Sequence, residues 1–207
     1  MSKLWCFGDS FNKGGGLEDW SVFRKKYPEK KKIWPEIVGK ELNMEVVNHG
    51  YSWCGTTLVL KNLFYFLPSI NDNDIVILST GNPRSILMPP MKEDSSLLRT
   101  VLVPNKDLPH NDSPFKNEDE KEIANMYAQK IIDPNLQQYD TFWYEYLELV
   151  QNTLTRLGIR NYLWSWKLWT EFETITEYTN GEVNDLHWSW NGHEQMAEYM
   201  LKKIKND

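Results

Sequence analysis

Lys3-Leu4-Trp5-Cys6-Phe7-Gly8-Asp9-Ser10 is the stretch on which the fold turns. Lys3 to Phe7 is a short apolar run that stops at Gly8, the pattern of a buried strand followed by a turn. Two later runs repeat it. Glu45-Val46-Val47-Asn48 reads as a second strand, and Asp74-Ile75-Val76-Ile77-Leu78 as a third, bounded by Asn-Asp turn chemistry. Helical segments lie between them. Trp34 to Leu42 carries Pro35 in its first turn, and Thr57 to Leu67 has apolar residues at helical spacing and stops before Pro68. Strands alternating with helices predict an α/β protein whose parallel sheet is covered on both faces.

From about Ser85 to Gln138 the rhythm breaks. Pro89, Pro90, Pro104, Pro109, Pro114 and Pro134 fall among many Asp, Asn and Glu residues. A segment of this length is expected to be a lid, a binding loop or a disordered insertion, with Glu118 to Ile132 as one exposed helix. The alternation then resumes with a helix from Thr141 to Leu157 ended by Gly158, a strand from Asn161 to Trp164, and a closing amphipathic helix from Gly192 to Ile204. The 207 residues suit one domain, 1–207, carrying an insertion at about 85–138.

Composition narrows the function classes. With 29 acidic and 23 basic side chains the formal charge is −6, which argues against a nucleic-acid partner. The basic run from Arg24 to Lys32 is interrupted by Tyr27-Pro28-Glu29 and reads as a solvated loop. No stretch approaches the roughly 18–20 uninterrupted apolar residues of a membrane span. The start reaches Gly8-Asp9 too early for a signal peptide, so Cys6 and Cys54 are expected as two buried free thiols in a reducing compartment. A cytoplasmic or virion-associated location follows, and the Asn-, Lys- and Trp-rich style is compatible with a phage protein. No pair among His49, His110, His187 and His193 has a metal-ligand spacing, so a catalytic metal is not expected. Gly14-Gly15-Gly16 lacks the spacing and the following Lys-Ser or Lys-Thr of a phosphate cradle.

Two constellations carry chemistry. Ser10 falls at the carboxyl end of the first strand, where ligands bind in parallel α/β sheets. A serine there becomes a nucleophile when a base takes its proton and donors hold the oxyanion; otherwise it caps a helix. Near the C-terminus, Asn184-Asp185-Leu186-His187-Trp188-Ser189-Trp190-Asn191-Gly192-His193 precedes the last helix. Asp185, two residues upstream, can orient His187 as a general base; a lone histidine is more often packed or on the surface.

These blocks, in this order, resemble the SGNH hydrolases, also called the GDSL esterases and lipases. The resemblance runs from Phe7 to the final helix and leaves out the insertion. Gly8-Asp9-Ser10 is its first block, and Ser10 matches the family nucleophile. Asn48-His49-Gly50-Tyr51-Ser52-Trp53-Cys54-Gly55-Thr56-Thr57 stands where the family has a glycine-bearing oxyanion loop. Ser79-Thr80-Gly81-Asn82-Pro83 takes the place of Gly-x-Asn-Asp, and the Asp185–His187 region that of Asp-x-x-His.

The resemblance implies a three-layer α/β/α sandwich, the flavodoxin-like SGNH hydrolase fold with a central parallel sheet. It implies a catalytic set of Ser10, Gly55, Asn82, Asp185 and His187. The implied activity is hydrolysis of a carboxylic ester, such as an acetyl group on a carbohydrate or other small alcohol, without a cofactor. Three positions depart from the pattern. Counting from Asn48 puts Trp53 where glycine is expected, although Gly55 fits a Gly-x-Thr pattern. Pro83 replaces an Asp. Family spacing selects Asn184, which carries no charge, whereas Asp185 is one residue closer to His187. A non-catalytic module that binds glycans or other ligands on the same fold therefore stands as the alternative. Asp9 is expected to hold the nucleophile loop, His193 to pack or cap, and Arg84 to form a surface ion pair or bind a carboxylate. Trp164, Trp166 and Trp169 are expected in the core or against the lid.

Overall fold

The computed structural model describes residues 1–14, 32–51, 54–80, 85–88, 99–102, 122, 136–165, 171–172 and 188–207. In chain order they form β1 (Lys3–Gly8), a helical turn α1 (Ser10–Lys13), α2 (Trp34–Glu41), β2 (Glu45–Gly50) and α3 (Thr56–Phe66). A 3-10 turn (Leu67–Ser69) follows, then β3 (Ile75–Ser79), β4 (Ser85–Met88), β5 (Arg99–Leu102), α4 (Leu136–Arg156), β6 (Arg160–Trp164) and α5 (Trp190–Lys205).

Four strands make one parallel sheet in the order β2-β1-β3-β6. Leu4 lies opposite Val46 and Ile75, and Phe7 opposite His49 and Leu78. The central strands are apolar along their length because both faces are covered. Leu4, Cys6, Ile75 and Ile77 pack against Trp34 and Val38 of α2 and Met196, Met200 and Ile204 of α5. Their neighbours Trp5, Phe7, Val76 and Leu78 face Val59, Leu60 and Leu63 of α3 and Leu147, Val150 and Leu154 of α4. The result is the expected α/β/α sandwich, with flavodoxin-like strand order. Helices on opposite faces are what right-handed crossovers demand when the chain moves outward from β1 to β2 and then back past β1 to β3.

The amino-terminal edge of the sheet is closed by polar clips. The buried Asp74 carboxylate accepts from the Lys3 N–H at 2.7 Å, the Asn71 N–H at 3.0 Å and the Trp5 indole at 3.0 Å. Burial alone raises a carboxyl pKa, but these donors win and hold Asp74 below its ordinary value. At β6 the Tyr162 hydroxyl donates to Asp207 at 3.0 Å and accepts from Arg160 at 3.1 Å, tying down the end of α5.

Several boundaries differ from the sequence expectation. Ser85–Met88 and Arg99–Leu102 pair as an antiparallel two-stranded sheet within the segment expected as an irregular insertion. Helix α4 begins at Leu136, inside that segment and five residues before Thr141. Helix α5 begins at Trp190 rather than Gly192 because the Ser189 hydroxyl caps it, accepting from the Gly192 N–H at 3.1 Å. The helix expected over Glu118–Ile132 lies outside the described residues, apart from Glu122. Among the described residues, no helix is long and apolar enough to cross a membrane.

Candidate active site

In a doubly wound sheet the chain leaves adjacent strands in opposite directions at one place, and a crevice opens there beyond the strands' carboxyl ends. Here that place lies between β1 and β3. Ser10 stands on it, half-buried, as the first residue of α1. Asp9 is 2% exposed and caps the turn, its carboxylate accepting from the Phe11 N–H at 3.0 Å. The Asp9 carbonyl accepts from the Asn12 and Lys13 N–H groups at 3.1 and 3.2 Å. Gly14 ends the turn at φ 79°, a left-handed conformation that glycine adopts without strain, and returns its N–H to the Ser10 carbonyl.

The loop after β2 is bonded to the end of β1, beside this turn. Tyr51 donates its N–H to the Gly8 carbonyl at 3.2 Å, and Cys54 donates to the Tyr51 carbonyl at 3.2 Å. Gly55 is buried and caps α3 in extended backbone, its carbonyl receiving the Leu58 and Val59 N–H groups. Ser10 and Gly55 therefore belong to neighbouring loops at the same edge of the sheet. Asn48 adds a side-chain bridge. Its Nδ2 donates to the Asn12 carbonyl at 2.7 Å, and its Oδ1 accepts from the Gly50 N–H at 3.0 Å.

Cys6 and Cys54 are buried free thiols. Burial raises the pKa of both, and the Asp9 carboxylate adds to the effect at Cys54, so neither competes with Ser10 as a thiolate.

At the end of β3 the Ser79 hydroxyl donates to the Phe7 carbonyl at 3.5 Å, and Thr80 donates its N–H to the Trp164 carbonyl at 3.2 Å. Asn82 follows two residues later, outside the described residues. Asp185, His187, Asn184, Trp53, Arg84, Trp166 and Trp169 are outside them as well. The chain resumes at Trp188, fully buried, with its ring 4.7 Å from Phe11 and 5.5 Å from Trp164. Phe11 directly follows Ser10, and Trp188 directly follows His187. This aromatic contact is the site element that sequence analysis missed. Its signal was a large apolar residue immediately after each polar candidate.

The other described histidines are engaged elsewhere. His193 is buried in α5, with Nδ1 accepting from the Trp34 N–H at 3.4 Å and its ring edge-on to Trp188. His49 stacks on Phe66 at 4.1 Å and on Phe7 at 5.2 Å, and burial lowers its pKa. Trp164 is a core residue at 1% exposure.

Several solved structures are similar over nearly the whole chain. A member of the lipolytic protein G-D-S-L family from Veillonella parvula is 15% identical, with 98% of this chain and 97% of that one covered at a TM-score of 0.43. The lipase/acylhydrolase from Enterococcus faecalis is 16% identical, with coverage of 100% and 96% and a TM-score of 0.41. An SGNH-hydrolase family esterase is 15% identical, with coverage of 99% and 95% and a TM-score of 0.35. The likeness is chain-wide but loose. No protein-family model and no curated protein matches the sequence. At that depth of overlap, residue roles do not transfer from those structures.

Proposed function

We propose that the chain is a serine hydrolase of carboxylic esters, with Ser10 as nucleophile. The observation that carries this is the placement of Ser10 at the β1–β3 switch point, on a turn held by the Asp9 cap and bonded to Asn48 at the end of β2. The contact of Phe11 with Trp188 supports His187 as its base, because it gathers the residues next to both candidates. His49 and His193 are occupied in packing, which leaves His187 and His110 for that role, and only His187 has Asp185 two residues upstream.

In this reading Ser10 Oγ attacks the ester carbonyl as His187 accepts its proton. The tetrahedral oxyanion is held by the Ser10 and Gly55 N–H groups and the Asn82 amide. Collapse expels the alcohol, which takes the proton from His187 and leaves an acyl group on Ser10. Water then attacks that acyl group, again giving a proton to His187, and the acid departs with Ser10 restored. Asp185 orients the imidazole and stabilises its protonated form. The substrate is a small acyl ester, such as acetyl, of a carbohydrate alcohol. Tyr51, 45% exposed beside the Gly8 carbonyl, supplies an aromatic face on which a sugar ring can lie.

A panel of short p-nitrophenyl esters tests the reading, with Ser10→Ala as the decisive variant. Its turnover should fall by about 10³-fold or more, since a nucleophile has no substitute in this mechanism. An organophosphonate should label Ser10 in the wild type and nothing in the variant. Hydrolysis by Ser10→Ala at the wild-type rate removes Ser10 from the mechanism. A wild type inert towards every ester and towards the phosphonate favours the non-catalytic binding module.

A further inference from the structure

The bridge made by Asn48 does more than finish a strand. Its side chain is exposed, so it contributes little to the core, yet both ends of its amide are engaged. One end holds the carbonyl of Asn12, and the other holds the N–H of Gly50. These two residues belong to α1 and to the end of β2, brought together by the pairing of Gly8 with Gly50 at the end of the sheet. The clamped residue is itself a wedge. Asn12 is fully buried, and its side chain fills the positions that Cβ atoms on Gly8 and Gly50 would take, 2.6 Å from its Cγ and 2.7 Å from its Cβ respectively. Among the described residues neither end of the Asn12 amide has a hydrogen-bond partner, so shape and the backbone bonds fix it in place.

We propose that Asn48 is a positioning residue that locks the Ser10 turn to the end of β2. The proposal rests on the esterase reading for its catalytic consequence, but not for the clamp itself. A turn of four residues has few internal bonds to fix its angle. The Asn48 amide adds an outside tether two residues from Ser10, and so sets where the Ser10 oxygen stands relative to a bound ester. Both ends of the Asn48 amide are taken by backbone groups, so in this proposal it acts through the turn. Its loss therefore lowers turnover and leaves substrate affinity nearly alone.

Asn48→Ala and Asn48→Asp separate the parts. The aspartate keeps an acceptor for the Gly50 N–H but sets a carboxylate against the Asn12 carbonyl. When protonated, it regains a donor. With p-nitrophenyl acetate both variants should lose about 10–100-fold in kcat while KM stays within about twofold, the mark of a misplaced nucleophile. Hydrogen exchange, followed by mass spectrometry on a peptide spanning residues 9–14, reads the turn without any substrate. Relative to wild type at the same pH, exchange should quicken about tenfold or more in both variants. In Asn48→Asp it should slow again at about pH 3.5, where the carboxyl regains its proton.

Wild-type exchange in Asn48→Ala overturns the clamp whatever the activity. Faster exchange with unchanged kcat overturns the positioning role. Should the wild type hydrolyse no ester at all, the esterase reading fails together with the catalytic half of this proposal. The exchange measurement then still accepts or rejects the clamp.

Discussion

Gly50→Ala is the substitution that most directly couples packing to the proposed chemistry. Gly50 is the last residue of β2 and is not in the left-handed region, so space rather than conformation excludes a side chain. A Cβ built there stands 2.6 Å from the Lys13 nitrogen, 2.7 Å from the Asn12 Cβ and 2.9 Å from the Asn12 carbonyl carbon. Ordinary contact begins at 3.4 Å, so the nearest atom must retreat by about 0.8 Å. All three atoms belong to the backbone or its first carbon, and none is a flexible tip that can swing away. The Ser10 turn itself must move. Overpacking of this kind costs about 1–3 kcal/mol of stability, and a nucleophile displaced by about 1 Å loses about 10²-fold in turnover. Steady-state kinetics on p-nitrophenyl acetate, with urea denaturation alongside, measure both quantities. Gly39→Ala is the control. Its Cβ would clash with the Val46 Cγ2, between α2 and the amino-terminal part of β2, so it should destabilise while the folded protein keeps its kcat. Wild-type kcat in Gly50→Ala, or an equal loss in Gly39→Ala, would mean that the space at Gly50 does not set the position of Ser10.

Two further outcomes are expected. Asp74→Asn turns an acceptor of three donors into a neutral amide and should cost about 1.5–3 kcal/mol near neutral pH, measured by denaturant unfolding. Because the folded-state pKa of Asp74 is lowered, its contribution is present above the unfolded value and is lost as pH falls through the folded one. The variant should therefore show a smaller loss of stability on acidification below about pH 4, and an acid-unfolding profile identical to wild type would contradict this. Asp185→Ala should lower kcat more than Asn184→Ala, because only the carboxylate stabilises a protonated His187. The opposite ranking in the same ester assay would assign the orienting role to Asn184.

Much of the sandwich was legible because its strands are simple. Ile75 to Leu78 reads as a strand without any tertiary knowledge, and burial on both sides is the physical reason for the unbroken apolar run. Ser85–Met88 and Arg99–Leu102 were not legible. Each is four residues long, and among the described residues they pair only with each other, across ten residues of chain, so local propensity had little to act on. The start of α4 was obscured in another way. Its first residues follow Pro134 in a polar segment whose composition reads as an insertion throughout.

The candidate site divides along the same line. Ser10 and Gly55 stand out as candidates because each sits in a local pattern, Gly-Asp-Ser after a strand and Gly-Thr-Thr opening a helix. What binds their loops together is not local. The Asn48 bridge spans 36 residues and exists only because parallel pairing sets Gly8 opposite Gly50. Two facing glycines at strand ends contribute no side chain, and the room they leave is taken by Asn12 of the Ser10 turn and, at Gly8, by the Ser79 hydroxyl as well. That turn can therefore approach the sheet more closely than any Cβ would permit. It is fixed there by a capping aspartate, by the Tyr51 N–H on the Gly8 carbonyl and by the Asn48 amide. A nucleophile mounted on so short a helix needs such support, since four residues alone do not hold an oxygen to within the fraction of an ångström that acyl transfer requires. The two glycines thus serve the proposed chemistry through the space they leave empty, which explains why an added methyl group at Gly50 should be felt at Ser10.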